Sequence, residues 1–517
     1  MKLTSAFLIA LLTVPFASTH AAQPNVIVIL ADDMGYGDVQ CYNLERGKIP
    51  TPHLDRLAAQ GMRFTDGHSS SGICSPSRYT LLTGRYHWRT RLQGGIVGVF
   101  GAPLIAPDRM TIGTLAKQQG YAAACIGKWH LGWDWPIPAE KRELLLQKPQ
   151  GRDDEARVPA DQLELWRNVF SKPIAGGPTT RGFDEYFGTD VPNWPPYCFI
   201  ENDRTVGIPI EFLPKRLRGG HLASMHGPAL KDWSLEAILP TLGDRAADFI
   251  ARQTKEGRPF LLYLPLTAPH TPIAITDDWK GKSKLHYYAD FVMETDAVIG
   301  RVLEALEQSG AAANTLVLFT SYNGKAEGTD AKELEKLGHF ASGPLRGYKR
   351  SVYEGGHREP FIVRWPGVVR PGSVCHQLVH HADVLATLAE IWNVKLPDNT
   401  GEDSFSFLPL LKGADHPVRE TAVSCAGGGI PGLRQGAWKL VFVGDRQAKT
   451  QQQLYNLGDD IGETKNLAAD QPERVAQMRA LMERLIIDGR STPGVKQKND
   501  VEVHRFSNRD AAKPRKE

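Results

Sequence analysis

The sequence predicts an α/β protein: a large mixed, mostly parallel sheet sandwiched by helices, with a smaller C-terminal α+β subdomain. Three observations carry that expectation. Short unbroken apolar runs recur at residues 25–30, 121–126, 260–266 and 316–320, and such runs suit strands covered on both faces. Amphipathic helical stretches lie between them. From about residue 416 the pattern changes to shorter strands and one helix. The expected layout is a signal peptide over 1–22, a large α/β domain over 23–415 and an α+β subdomain over 416–490. Residues 491–517 mix charges of both signs with little apolar content, so a disordered tail is expected there.

In chain order, the first run, Asn25-Val-Ile-Val-Ile-Leu30, ends in Ala31-Asp32-Asp33. Ligands of open α/β sheets bind beyond the carboxyl ends of strands. Asp32 and Asp33 there suit a hard cation, calcium or magnesium, or else make a plain turn. Thr51-Pro52 opens a short helix with Leu54, Leu57 and Ala58 on one face and Gly61 as its stop. In Cys74-Ser-Pro-Ser-Arg-Tyr-Thr-Leu-Leu-Thr-Gly-Arg85 a loop turns into a helix, with Ser75 as N-cap, Pro76 at the first helical position and Gly84 ending it. Cys74 would then stand just ahead of a helix N-terminus, where free N–H groups favour an anion, and Arg78 adds a fork of donors. The plain alternative is a buried cysteine before an ordinary helix.

After a helix near 112–119, the run at 121–126 leads into Gly127-Lys-Trp-His-Leu-Gly132. Polar groups again cap a buried strand, although Lys128 and His130 alone are equally consistent with a solvated lysine and a packed histidine. Residues 133–220 read as irregular, with a solvated charged insertion over 140–157. Trp133, Trp135, Trp194 and Tyr197 either stack on sugar rings or, for most of them, pack in the core. The run at 260–266 is followed by Thr267-Ala-Pro-His-Thr-Pro272, whose prolines hold His270 in a rigid loop. A long helix with Phe291, Thr295, Val298, Val302 and Leu306 on one face ends at Gly310. Ser321-Tyr-Asn-Gly324 follows the 316–320 strand; Lys349 and Tyr353-Glu-Gly-Gly-His-Arg-Glu-Pro360 precede a strand at 361–365, and His357 is read as structural. A helix at 383–392 turns Leu385, Leu388 and Ala389 inward. Strands at 438–443 and 453–457, with a helix over 472–487 presenting Val475, Met478, Met482 and Leu485, make the subdomain.

Apolar residues at 41%, charged ones at 23% and a formal charge of +3 give no reason to expect nucleic acid as a partner. Lys2, the apolar stretch 6–17 and small residues near Ala21 and Ala22 read as a secretory signal, too short to span a bilayer. No later run is long enough for a membrane span, and no Asn-x-Ser/Thr sequon occurs, which favours a periplasmic or secreted bacterial protein. The six cysteines contain no CxxC pair, so neither a zinc site nor a disulfide framework is expected.

Cys74-Ser-Pro-Ser-Arg78 followed by Leu82-Thr-Gly-Arg85 resembles the sulfatase signature, and four further segments agree in order: Asp32-Asp33, Gly127-Lys-Trp-His130, Pro269-His270 and the Lys349 segment. The resemblance spans most of residues 24–488. It implies a formylglycine-dependent sulfuric ester hydrolase, of arylsulfatase type in the alkaline phosphatase superfamily, with Cys74 oxidised by a formylglycine-generating enzyme. It further implies that Asp32, Asp33, residue 74 and Asn323 bind Ca2+, that Arg78 orients position 74, and that Lys128 and Lys349 hold sulfate. His130 would serve the nucleophile and His270 the leaving oxygen, on a sulfated small molecule or glycan. Relatives usually read Ser-Asp-Asn-Gly where this chain reads Ser321-Tyr322-Asn323-Gly324, and a phenol is a poor calcium ligand. Two alternatives therefore stay open: a formylglycine-dependent phosphonate or phosphodiester hydrolase, and a sulfated-glycan-binding protein whose catalysis Tyr322 impairs.

Overall fold

In the computed structural model, which describes residues 23–149, 157–443 and 451–503, a ten-stranded mixed sheet forms the centre. Its five middle strands are parallel, in the order Thr315–Ser321, Asn25–Ala31, Phe260–Pro265, Ala122–Lys128 and Glu185–Thr189. Phe361–Arg364 and Met62–Phe64 continue one side antiparallel, and Ser373–Cys375 closes that edge. The short strands Ile200–Glu201 and Arg204–Thr205 close the other.

The unbroken apolar runs have a direct cause. Side chains alternate between faces along a strand, and here both faces are covered. Val26, Val28 and Leu30 enter one core with Leu81 and Leu82 of helix Cys74–Thr83, Leu115 of Ile112–Gln118 and Leu385 of Asp383–Ile391. Ile27 and Ile29 enter the opposite core with Leu54 of helix Pro52–Ala59, Phe249 of Ile238–Glu256 and Val302 of Tyr287–Gln308. With no polar face to provide, the central strands need no alternation in sequence.

Residues 133–220 depart from the irregular reading. Helix Ala160–Phe170 buries Leu165, Trp166, Val169 and Phe170 on one side, and Glu185–Thr189 is a full member of the sheet. The strand pairs closely with its neighbour: a Cβ on Gly188 would lie 1.8 Å from the Gly127 carbonyl oxygen. Much of the charged insertion, residues 150–156, lies outside the described residues, as does the leader over 1–22.

After residue 420, Thr421–Cys425, Pro431–Gln435, Trp438–Val443 and Gln451–Asn456 form a sequential antiparallel sheet against which helix Pro472–Ile487 packs through Met478, Met482 and Leu485. The stretch 491–503 is ordered against the body, contrary to the expected disorder. Asp500 pairs with Arg85 at 3.0 Å, the Asp500 N–H donates to the Arg89 carbonyl, and Val503 is buried. Charges that look solvated in sequence have partners elsewhere in the chain. Residues 504–517 lie outside the described residues. No described helix is long and apolar enough to cross a membrane.

Candidate active site

Because the middle strands run parallel, their carboxyl ends meet on one edge of the sheet, and the loops leaving them converge. Asp32 and Asp33 follow the first strand, His130 follows Lys128 at the end of its strand, His270 sits in the loop after Pro265, and Tyr322 and Asn323 follow Ser321. Helix Cys74–Thr83 delivers Cys74 and Arg78 from the side. Its geometry differs from the expected one: Ile73 is the N-cap in extended conformation and Cys74 is already the first helical residue. The Ser75 hydroxyl accepts instead from the Val97 N–H at 3.1 Å. Gly84 ends the helix at φ 65°, as expected.

Asp33, Cys74, Lys128, His130, His270 and Lys349 line one cleft of about 780 Å³. Arg78, Asp32 and Asn323 lie buried beneath it. Lys128 Nζ is 2.8 Å from Asp32 Oδ2 and 3.8 Å from Cys74 Sγ. Arg78 donates to the Lys128 carbonyl at 2.8 Å and reaches Asp32 at 3.4 Å. Lys349 Nζ sits 2.6 Å from Asp33 Oδ1. Burial alone would raise the Asp33 pKa, but the adjacent Lys349 and His270 outweigh it and hold the carboxyl at about 2. Burial likewise opposes charge on Lys349, yet Asp33, Cys74 and Asp32 raise its pKa above the usual lysine value.

The two histidines are poised differently. His130 Nε2 faces the Val97 carbonyl at 3.1 Å and must donate to it, leaving Nδ1 a buried lone pair without a protein partner. Burial, reinforced by Lys128 and Arg78, pushes its pKa well below the usual histidine range, so it rests neutral. His270 Nδ1 donates to the Thr271 carbonyl at 2.5 Å, and its Nε2 lies 3.8 Å from Asp33 Oδ2. Burial and then Lys349 bring its pKa down to about 4.

The donor set fits a hard cation. Ligand atoms of Asp32, Asp33, Cys74 and His270 lie within 4.8 Å of one another. Asp32 Oδ1 and Asn323 Oδ1 are buried oxygens with no hydrogen-bond partner, which is costly unless something positive meets them. Tyr322 supplies no carboxylate to this set. Its hydroxyl lies 3.1 Å from Cys74 Sγ and 3.5 Å from Lys128 Nζ, with the Arg78 guanidinium 4.5 Å from the ring centroid.

Some neighbours escaped the sequence reading. Asp190, just past strand Glu185–Thr189, accepts from the His130 N–H at 3.3 Å and from the Trp133 indole at 3.2 Å; burial lifts its pKa to about 6. An acid beyond a strand end was the available signal, hidden because that strand was not read. Of the four aromatics considered for stacking, Trp133, Trp135 and Tyr197 are buried, and Trp194 lines the cleft edge-on to His130. The six cysteines are all free.

Comparison with known proteins places most of the chain in one family. The sulfatase family model matches residues 24–394. An N-acetylgalactosamine-6-O-sulfatase of Bacteroides thetaiotaomicron is 31% identical over 90% of this chain and 93% of its own length. Human arylsulfatase A is 30% identical over 86% of this chain and 84% of its own. A solved structure from work on glycosaminoglycan metabolism by Bacteroides thetaiotaomicron superposes with a TM-score of 0.75 at 30% identity, covering 90% of this chain and 99% of that one. The chain therefore belongs to the sulfatase family and is a sulfatase, a hydrolase of sulfate esters.

Proposed function

We propose that this sulfatase cleaves sulfate from a carbohydrate, using Cys74 after its oxidation to formylglycine and a calcium ion held by Asp32, Asp33, residue 74 and Asn323. The observation that carries the reading is the convergence of Cys74, Lys128, His130, His270 and Lys349 on one cleft. The carbohydrate assignment is supported by the relative named for N-acetylgalactosamine 6-sulfate. We place the enzyme in the periplasm or outside a bacterial cell, with residues 1–22 as its leader and a formylglycine-generating enzyme acting on it during maturation.

Hydrated, the formylglycine aldehyde would offer two hydroxyls on one carbon, one to attack sulfur and one whose deprotonation expels the sulfate, which a single thiol cannot do; calcium would supply positive charge beside them. The chain's own groups do the rest. Lys128, Lys349 and Arg78 outnumber Asp32 and Asp33, so a bound sulfate meets net positive charge, and the buried cations stabilise charge gathering on its oxygens. His270 Nε2 faces the cleft side of Asp33, and a bound sulfate raises its proton affinity, so that it holds a proton for the leaving sugar oxygen. The unshared Nδ1 of His130 accepts a proton from position 74.

Mass spectrometry of the peptide containing Cys74, with turnover of a sulfate ester by wild type and Cys74→Ala, tests this. The expected result is a peptide mass of the aldehyde and loss of turnover in the variant. An unmodified thiol in active enzyme, or full activity of Cys74→Ala, sinks it. Matched aryl sulfate and phosphate diester rates exclude the phosphodiesterase reading if sulfate is preferred.

A further inference from the structure

Nine non-glycine residues of the described chain adopt positive φ, and three of them, Asp33 at 65°, His130 at 53° and Arg350 at 76°, line the same cleft. Side chains with a Cβ are strained in that region, and such strain persists only where the surroundings impose it. Asp33 and His130 already have roles in the proposed chemistry. Arg350 has none.

Its backbone is clamped from both sides. The Arg350 N–H donates to the Gly72 carbonyl at 2.7 Å, and its carbonyl accepts from the Gly427 N–H at 3.0 Å. Gly427 has no Cβ that would crowd the arginine stem; one placed there would meet Arg350 Cβ and Cγ at 3.2 Å. The side chain so displayed is exposed, and its guanidinium has no hydrogen-bond or ion-pair partner among the described residues. The nearby acids are already engaged: Glu327, which also lines the cleft, by Lys332 at 3.1 Å, and Asp330, three residues on, by the Tyr287 hydroxyl, which donates to it at 2.6 Å. Lys349 points inward to Asp33, with its side chain 11% exposed, so consecutive residues present one cation at the floor and one at the rim.

We propose that Arg350 forms a second anion subsite of the catalytic cleft, taking a carboxylate or a second sulfate on the substrate beside the sulfate being cleaved. This rests on the carbohydrate reading above and narrows it to polyanionic sugars. A planar guanidinium pairs bidentately with either group. The pairing gains strength as the bound sugar displaces water from the rim.

The test compares kcat/KM on N-acetylgalactosamine 6-sulfate, the same sugar 4,6-disulfated, and the same sulfated sugar linked to a uronic acid, with 4-nitrophenyl sulfate as reference. Wild type is expected to favour at least one two-anion substrate. Arg350→Ala should cut the ratio of two-anion to one-anion kcat/KM by about 10- to 100-fold, mainly through KM, the range of one charge-assisted hydrogen-bonded pair. Arg350→Gly, which keeps the left-handed backbone without strain, should lose the same ratio while melting no lower than wild type; Arg350→Lys should keep part of it. The disulfated and uronate arms tell the two anions apart. A uniform loss on every substrate in both Ala and Gly variants, or no wild-type preference, overturns the subsite alone. Turnover of the aryl ester with none of the sugars overturns the carbohydrate reading and the subsite together.

Discussion

Tyr322 stands where the resemblance to sulfatases implies an aspartate, and its surroundings define what that departure does. A phenol stands where a carboxylate is usual, and its hydroxyl meets Cys74 Sγ at 3.1 Å instead of contributing charge to a cation. Affinity for hard cations follows the number of charged ligands. Tyr322→Asp should tighten calcium by about one to two orders of magnitude. It also removes a fully buried ring, so the calcium-free variant should melt lower than wild type. The signature is a lower Tm in chelator with a larger rise on adding calcium, read by thermal denaturation; a rise no greater than wild type's sinks the idea. His87 permits a cleaner pH prediction, because burial alone depresses its pKa to about 3. Above the unfolded histidine pKa of about 6.5 both states are neutral; below it only the unfolded chain takes the proton, so stability is lost as pH falls toward the folded value. His87→Gln abolishes that dependence. The stability gap between wild type and variant should narrow by about 2 kcal/mol between pH 6.5 and 5, and a pH-independent gap in denaturant titrations would contradict it. That Cys74, Lys128, His130 and His270 line one cleft was legible, because each is marked by the few residues beside it in sequence. The places of Asp190 and Arg350 were not, because they depend on which distant segment lies opposite.

Among elements, the buried strands were the most legible, and the reason is their position between two cores: Val26 and Ile27 face different helical layers yet both must be apolar. The strand Glu185–Thr189 resisted because it is short, begins with a partly exposed acid and needs Gly188 to let Gly127 approach. Helix Ile238–Glu256 does carry Leu239, Leu242, Ala246, Phe249 and Ile250 at helical spacing, a signal in plain view whose polar outer face and Pro240 in the first turn blunt it. The Cys74 helix shows how local rules give the right ending and the wrong beginning. Serine and proline have strong N-terminal preferences, but the Ser75 hydroxyl is taken by Val97 and the helix starts two residues early. Its end has no such competitor. Gly84 sits at φ 65°, and a Cβ there would lie 2.9 Å from Ser404 Cβ and 3.0 Å from the backbone of Gly401. Gly84→Ala therefore combines a strained backbone with overpacking and should cost about 2–4 kcal/mol. Chemical denaturation measures it; a loss under about 1 kcal/mol would mean the 401–404 turn yields freely.

The two sheets are joined by charge as well as by apolar contact, and this level of organisation leaves no linear trace. Lys439, on the small sheet and 0% exposed, reaches Glu354 and Glu463 at 2.9 Å each and His357 at 3.2 Å. His357 in turn faces His68 Nδ1 at 3.1 Å. Arg358 and Arg434 complete the ring around Glu354. Each is an ordinary charged residue in sequence, and only the fold brings positions some hundred residues apart into one buried network. Burial disfavours ionised Glu354, but Lys439, His68 and Arg434 hold its pKa well below the usual glutamate value; for Glu463 burial prevails and the pKa is raised. Lys439 is thus the shared cation of two carboxylates that repel each other. Removing one partner of a buried pair is far more costly than the pair's net worth, because the remaining charge stays desolvated. Lys439→Met should destabilise by about 3–5 kcal/mol. Glu463→Gln, added to it, removes the repulsion that Lys439 offset and should recover more than about 1 kcal/mol, a coupling that contacting residues show and distant ones do not. Denaturant titrations of the four proteins in the cycle measure this coupling, and additive losses would show that Lys439 serves the two glutamates independently.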